Sequence, residues 1–134
     1  TPVEMYCADI REVTIENASI VVLNFTLQFL PLEERLALLQ RIYAGLLPGG
    51  VLVLSEKIRF SPDERQRFME TMHLSFKRAN GYSEMEISQK RQALDNVLIP
   101  ETLEQHRKRL SQAGFQQIEQ WFQAFNFVSI AAFK

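Results

Sequence analysis

The sequence predicts an α/β fold: a mostly parallel sheet that ends in an antiparallel hairpin, with an extra helical segment inserted before the hairpin. Three observations predict it. The stretch LLPGGVLVLSEK (46–57) joins the end of a helical stripe to an apolar run through a Pro-Gly-Gly break, which is the helix-to-strand joint of a parallel crossover. Residues 61–98 carry helical signals with no strand among them. The tail holds two short apolar runs separated by almost nothing, so they should pair as a hairpin.

Taken in order, Val3 to Cys7 is a short strand candidate running into Asp9-Ile10, and Ser19 to Phe25 is a second, apolar through Ile20-Val21-Val22-Leu23. From Pro31, suited to a first helical position, Leu32, Leu36, Leu39, Ile42, Tyr43 and Leu46 recur at spacings of three and four. Val51 to Leu54 then reads as a strand buried on both faces. Ser61-Pro62-Asp63-Glu64 offers a Ser cap and acids at a helix start, with Phe68, Met72, Phe76 and Ala79 as the stripe. Asn80-Gly81 can close that helix, and Ser83 to Asp95 restarts as a charged one. Pro100 opens a helix carrying Leu103, His106, Leu110 and Ala113. Gly114-Phe115 predicts a Schellman ending with Phe115 packed on Leu110.

Composition narrows the function. With 134 residues and 46% hydrophobic content, the chain is one domain with a real core. Fifteen Lys plus Arg against sixteen Asp plus Glu provide no global basic field, so no direct nucleic-acid binding is expected. One cysteine, Cys7, excludes an intrachain disulfide and a Cys-rich metal site, which fits a cytoplasmic address. No apolar run reaches the roughly 20 residues of a transmembrane helix, and no signal peptide is read at the N-terminus. No G-x-G-x-x-G or G-x-x-x-x-G-K-[ST] motif supplies a phosphate cradle.

The order of elements is similar to the second half of class I S-adenosylmethionine-dependent methyltransferases, a Rossmann-like fold. More narrowly, CADIREVTIENASIVVLNFTLQFL (7–30), LLPGGVLVLSEK (46–57), FKRANGYSEMEISQKR (76–91) and QAGFQQIEQWFQAFNF (112–127) resemble the carboxy-S-adenosyl-L-methionine synthases. FKRANGYSEMEISQKR is the most particular of the four. The resemblance implies that residues 1–134 are the C-terminal part of an S-adenosylmethionine-binding catalytic domain, with a helical excursion at about 61–98. The glycine turn and the acid for the ribose would lie upstream of Thr1, and Ile20 to Leu23 would stand at an exposed apolar edge.

The same resemblance assigns cofactor contacts to Asp9, Ile10, Asn24 and Arg91. A strand-end carboxylate followed by a backbone N–H can read the donor and acceptor on the adenine edge, which suits Asp9-Ile10; apart from the resemblance, Asp9 reads as a strand terminator. Asn24 stands at the carboxyl end of its strand, where open α/β sheets hold ligands, or else stabilises a turn. Gln28 faces the crevice or caps the helix from Pro31. Arg91 offers the two-pronged geometry that recognises a carboxylate, the group distinguishing carboxy-S-adenosyl-L-methionine from S-adenosyl-L-methionine. By itself it belongs to a solvated face with Lys77, Arg78 and Lys90.

His73 and His106 lack metal-ligand spacing, so no metal is expected. Met69, Met72, Phe68 and Phe76 read as core or dimer packing. Ser55-Glu56-Lys57 follows a strand and is expected to border the pocket, with Glu56 lacking a base's signature, and no catalytic residue is named. The activity implied is carboxyl transfer from prephenate to S-adenosyl-L-methionine, releasing phenylpyruvate, for tRNA wobble-uridine modification by a partner enzyme, with a homodimer as the assembly. It leaves open whether Arg91 acts within its own chain or across the dimer. The alternatives are an ordinary small-molecule methyltransferase and a non-catalytic binding or assembly module.

Overall fold

The computed structural model of the chain describes residues 2–134. Four strands form one sheet in the order β1-β2-β4-β3: β1 Ala18–Asn24, β2 Leu46–Lys57, β3 Gln117–Ala124 and β4 Phe127–Phe133. β1 and β2 pair in parallel, and β4 pairs antiparallel with both β2 and β3. Three strands therefore share one direction and β4 alone is reversed between them. The expected crossover and closing hairpin are both present, with β1 at one edge.

Helix α1, Leu32–Gly45, makes the crossover. Pro31 is its N-cap rather than its first helical residue, and Glu33 and Glu34 lie in its positive first turn. Its buried face is Arg35, Leu38, Leu39 and Ile42. Leu32, expected in the stripe, is exposed because the helix rotates to place Arg35 inward at the same level. The joint after α1 is shorter than expected. β2 begins directly at Leu46 and absorbs Pro48-Gly49-Gly50 as an irregularity in its pairing with β1. Gly49 takes the left-handed φ of 77° that this bend needs.

Strand alternation gives the sheet a core face of Leu23, Leu52, Leu54, Val128, Ile130 and Ala132, all buried against α1, Leu110 and Phe115. Val51 and Val53 alternate to the other face and are only half-buried, while Ile20 and Val22 on β1 are exposed. The run 51–54 is thus buried on one face among the described residues, which corrects the two-faced expectation. An apolar sequence cannot distinguish the two cases, since both faces are apolar.

Helix α2, Asp63–Ala79, and α3, Glu84–Leu94, form the helical excursion, joined through Asn80 and a left-handed Gly81. Ser61 does not cap α2, whose N-cap is Pro62. No residue of α2 is fully buried, and Phe68, Met72 and Phe76 are exposed. That removes the core reading for these three, while Met69 packs against the core. α3 starts with a full Ser83/Glu86 capping box. α4, Leu103–Ala113, starts at Thr102, again with a capping box, so Pro100 lies before the helix rather than in its first turn. Its end matches expectation. Gly114 has φ 119°, the Phe115 N–H donates to the Leu110 carbonyl at 3.2 Å, and both side chains are buried. A Cβ on Gly114 would come within 2.9 Å of the Tyr43 ring.

Val3 to Cys7 forms no strand. It is irregular and exposed, and the first strand of the described sheet is β1. A strand needs a paired neighbour, and none of the described residues pairs with it. Instead Asp9 to Glu12 makes a turn, with Glu12 N–H donating to the Asp9 carbonyl at 2.9 Å.

Candidate functional site

The carboxyl ends of β1 and β2 open towards α2 and α3, and a cavity of about 540 Å³ lies between them. Phe25 and Gln28 come from the segment after β1, Lys57 from the end of β2, and Asn126 and Phe127 from the β3–β4 turn. His73 and Lys77 come from α2, and Ile87, Lys90 and Arg91 from α3. The Asn80-Gly81 turn folds α3 back on α2, so cations thirteen or fourteen positions apart in sequence line one space. His73 stacks on Phe125 at 5.8 Å and meets the Phe127 ring edge-on at 5.1 Å, which docks α2 on the hairpin turn.

A buried polar frame fixes the floor. Glu56 alternates onto the core face of β2 and is fully buried. Its two carboxylate oxygens accept the backbone N–H groups of Leu27 and Gln28, each at 3.0 Å. Burial pushes its pKa up to about 7, against the opposing pull of those N–H groups and of Arg35. The Gln28 side-chain oxygen accepts the Lys57 N–H at 2.9 Å. Arg35, also fully buried, donates to the carbonyls of Leu30, Gln28 and Ile99 at 3.0–3.1 Å and to Glu101 at 2.5 Å. Glu101 also pairs with Arg109. Burial would raise the Glu101 pKa, but Arg109 and Arg35 outweigh it and hold it below its ordinary value. Of the two roles open to Gln28, facing the crevice is the one observed.

The four predicted cofactor contacts are placed differently from one another. Arg91 lines the cavity. Asn24 ends β1 beside Phe25, opposite Ser55, and its carbonyl accepts the Thr26 hydroxyl at 3.2 Å. Asn24, Asp9 and Ile10 do not line the cavity. The Asp9 carboxylate is held by the Arg11 guanidinium at 2.6 Å, and the Arg11 side-chain and backbone hydrogen bonds lower its pKa to about 2. Arg11 also reaches Glu34 on α1, so the turn that carries Asp9-Ile10 is tied to the crossover helix. The cavity lies at the ends of β1 and β2 with Arg91 on its wall, and Asp9 lies outside it, paired with Arg11.

Lys57 lines the cavity, as expected of Ser55-Glu56-Lys57, whereas the sequence does not single out Lys77, Lys90 or Asn126 as site residues. Lysines on amphipathic helices usually face water, and the only signal was the Asn-Gly turn between α2 and α3, which implies that the helices face each other. Asn126 gave no signal beyond a turn position. Among the described residues there is no group of three His, Cys, Asp or Glu side chains placed to hold a metal, and no helix is long and apolar enough to cross a membrane.

No family profile matches the chain. It is 66% identical to the carboxy-S-adenosyl-L-methionine synthase of Citrifermentans bemidjiense over 133 residues, covering 99% of this chain and 54% of that protein. It is 67% identical to the synthase of Geobacter metallireducens at the same coverage. The synthase of Shewanella amazonensis is 63% identical and is matched over 100% of this chain and 55% of its own length. The chain therefore spans about half the length of the curated relatives it matches. Among solved structures, an O-methyltransferase family 2 protein from Planctomyces limnophilus in complex with apigenin superposes with a TM-score of 0.64 at 16% identity, over 95% of this chain and 33% of that one. Human N-acetylserotonin methyltransferase in complex with SAM gives 0.62 at 20% identity, over 95% and 32%. These two likenesses speak for the fold alone. Fold and sequence agree: on a class I methyltransferase architecture, the chain is similar in sequence to carboxy-S-adenosyl-L-methionine synthases along about half of their length.

Proposed function

We propose that the protein to which this chain belongs is a carboxyl-transferring S-adenosylmethionine-dependent transferase, making carboxy-S-adenosyl-L-methionine from S-adenosyl-L-methionine and prephenate. The observation that carries this reading is the 59–67% identity to synthases of that name, together with Arg91 standing in the cavity at the strand ends. In the proposed reaction prephenate loses carbon dioxide and its ring hydroxyl as hydroxide, becoming phenylpyruvate. The carbon dioxide is captured at the methyl carbon of S-adenosyl-L-methionine, and the proton displaced there leaves with the hydroxide as water. Carbon, oxygen and charge balance without an external base, which agrees with a site that offers no obvious one.

Each residue has a role in the proposal. Arg91 holds the new carboxylate, Asn24 contacts the cofactor from the end of β1, and Asp9-Ile10 reads the adenine edge once Arg11 yields the Asp9 carboxylate. The product would serve tRNA wobble-uridine modification through a separate enzyme, in the cytoplasm. The near-neutral charge supports a protein that need not grip RNA. The exposed Phe68, Met72 and Phe76 stripe supports a homodimer built on α2. The test is incubation of the intact protein with both substrates and mass analysis of the sulfonium product. A gain of one carboxyl group is expected. Methylation of a third molecule with no carboxylated sulfonium would favour an ordinary methyltransferase, and binding without turnover would favour a non-catalytic module.

A further inference from the structure

The cavity holds more positive charge than Arg91 alone supplies. Lys57, Lys77, Lys90 and Arg91 all line it, and Glu70 and Asp95 are the only acids among its lining residues, leaving an excess of two positive charges. Among the described residues none of the four cations makes an ion pair. They also repel one another. The Lys77 ammonium is held below its ordinary pKa first by burial and then by Lys90, Lys57 and Arg91. His73, lowered first by burial and then by Lys77, Lys57 and Lys90, stays neutral at neutral pH. Uncompensated cations in a partly closed space favour an anion there.

A second, independent observation points to a ligand in the same space. Asn126 is 1% exposed and lines the cavity, and neither its side-chain nitrogen nor its side-chain oxygen has a hydrogen-bond partner. Its backbone is not at fault, since its carbonyl accepts the Ile58 N–H at 2.7 Å. A buried amide with two free donors and a free acceptor is costly unless something fills it. Phe25, Phe29 and Leu98 add an apolar wall.

We propose that Lys57, Lys77, Lys90 and Asn126 form the subsite for the carboxyl donor, a small organic dianion with two carboxylates on a hydrophobic ring. The lysines take the carboxylates, the Phe25 and Phe29 side takes the ring, and the Asn126 amide bonds a keto or hydroxyl oxygen. Arg91 is left for the carboxylate that appears on the sulfonium. The assignment rests on the carboxyl-transfer reading above and specifies which residues select its second substrate.

Calorimetric titration of the intact protein with prephenate, and with phenylpyruvate as the single-carboxylate probe, tests it. Prephenate should bind at least about ten-fold more tightly than phenylpyruvate, since one charge-assisted contact is at stake. The double variant Lys77→Gln/Lys90→Gln should weaken prephenate roughly ten- to a hundred-fold, weaken phenylpyruvate less, and leave S-adenosyl-L-methionine affinity unchanged. Asn126→Asp, nearly the same shape but negative, should weaken prephenate comparably. If that buried change prevents folding, the lysine pair, which lies away from the core, still decides the question. Prephenate binding as tight in the variants as in the wild type overturns the assignment. The two readings fail separately. Lysine-dependent prephenate binding without carboxylated product keeps the subsite and sinks the transferase, whereas product formation with a prephenate KM indifferent to all these changes does the reverse.

Discussion

Two charged clusters stand on either side of Gln28, and they are arranged in opposite ways. Behind it, Arg35, Glu56 and Glu101 are buried, and their charges are answered by one another, by Arg109 and by backbone groups. In front of it, Lys57, Lys77, Lys90 and Arg91 face an open cavity with no ion-pair partners among the described residues. The charges of the first cluster find their partners within the fold and shape the chain; those of the second find none there. Charge alone therefore does not mark function. What separates scaffold from site is whether the partners of a charge are already present in the fold.

The largest effect should come from breaking the closed cluster. Arg35→Ala strands three carbonyls and half of the Glu101 carboxylate in the interior, so urea unfolding should show a loss of about 3–5 kcal/mol. A loss under about 1 kcal/mol would mean that water enters and the cluster is not closed. Next, Arg91→Ala in the intact protein should leave unfolding nearly unchanged while lowering affinity for carboxy-S-adenosyl-L-methionine by roughly ten- to a hundred-fold, about 1.5–3 kcal/mol. S-adenosyl-L-methionine, without that carboxylate, should bind almost as before. Equal weakening of both would remove the distinction between the clusters at Arg91.

Glu56 sharpens the comparison through pH. Its pKa is raised from 4.5 to about 7 in the fold, so the native state retains a proton that the unfolded chain releases. Its contribution is fully present below pH 4.5, falls as pH rises towards 7, and is gone above that, with a slope of at most about 1.4 kcal/mol per pH unit. Glu56→Gln should flatten the denaturation midpoint across this window; an unchanged slope would assign the pH dependence elsewhere. The smallest change in stability should come from Phe68→Ser/Met72→Ser on exposed α2. Unfolding should shift by no more than about 0.5 kcal/mol, while sedimentation should move from dimer to monomer if α2 is the contact between copies. A dimer that persists would place the contact elsewhere.

Local rules made most elements legible. The capping residues Ser83 and Thr102, the Gly114 ending and the strand ending at Asn24 follow from side-chain chemistry within a few positions. The structure agrees with the expectation at Ser83 and at the Gly114 ending. It differs at Thr102, where the sequence favours Pro100, because proline is a strong start signal that works equally well just outside a helix. The Val3–Cys7 strand failed for a different reason. A strand is a property of two segments, and local pattern cannot say whether a partner is there. Arg91 does line the cavity, as the resemblance in FKRANGYSEMEISQKR implies, whereas its residue type alone reads as a solvated face. The site is not legible at Asn126, Lys77 or Arg35. Their roles come from how β2, the hairpin turn and the α2–α3 pair converge, and an arginine at position 35 reads as surface until the rotation of α1 turns it inward.

β4 is the last of the four strands in the chain, yet it lies between β2 and β3 in the sheet. β1, α1 and β2 leave the ribosome well before β4, and the parallel β1–β2 ribbon must wait for some seventy further residues before β4 can flank it. During that interval the edge of β2 that β4 will cover is open, and closure should be slow, as expected when the decisive pairing spans a long stretch of sequence. Release of β4 from the exit tunnel, rather than formation of any helix, should be the event that commits the chain to its sheet.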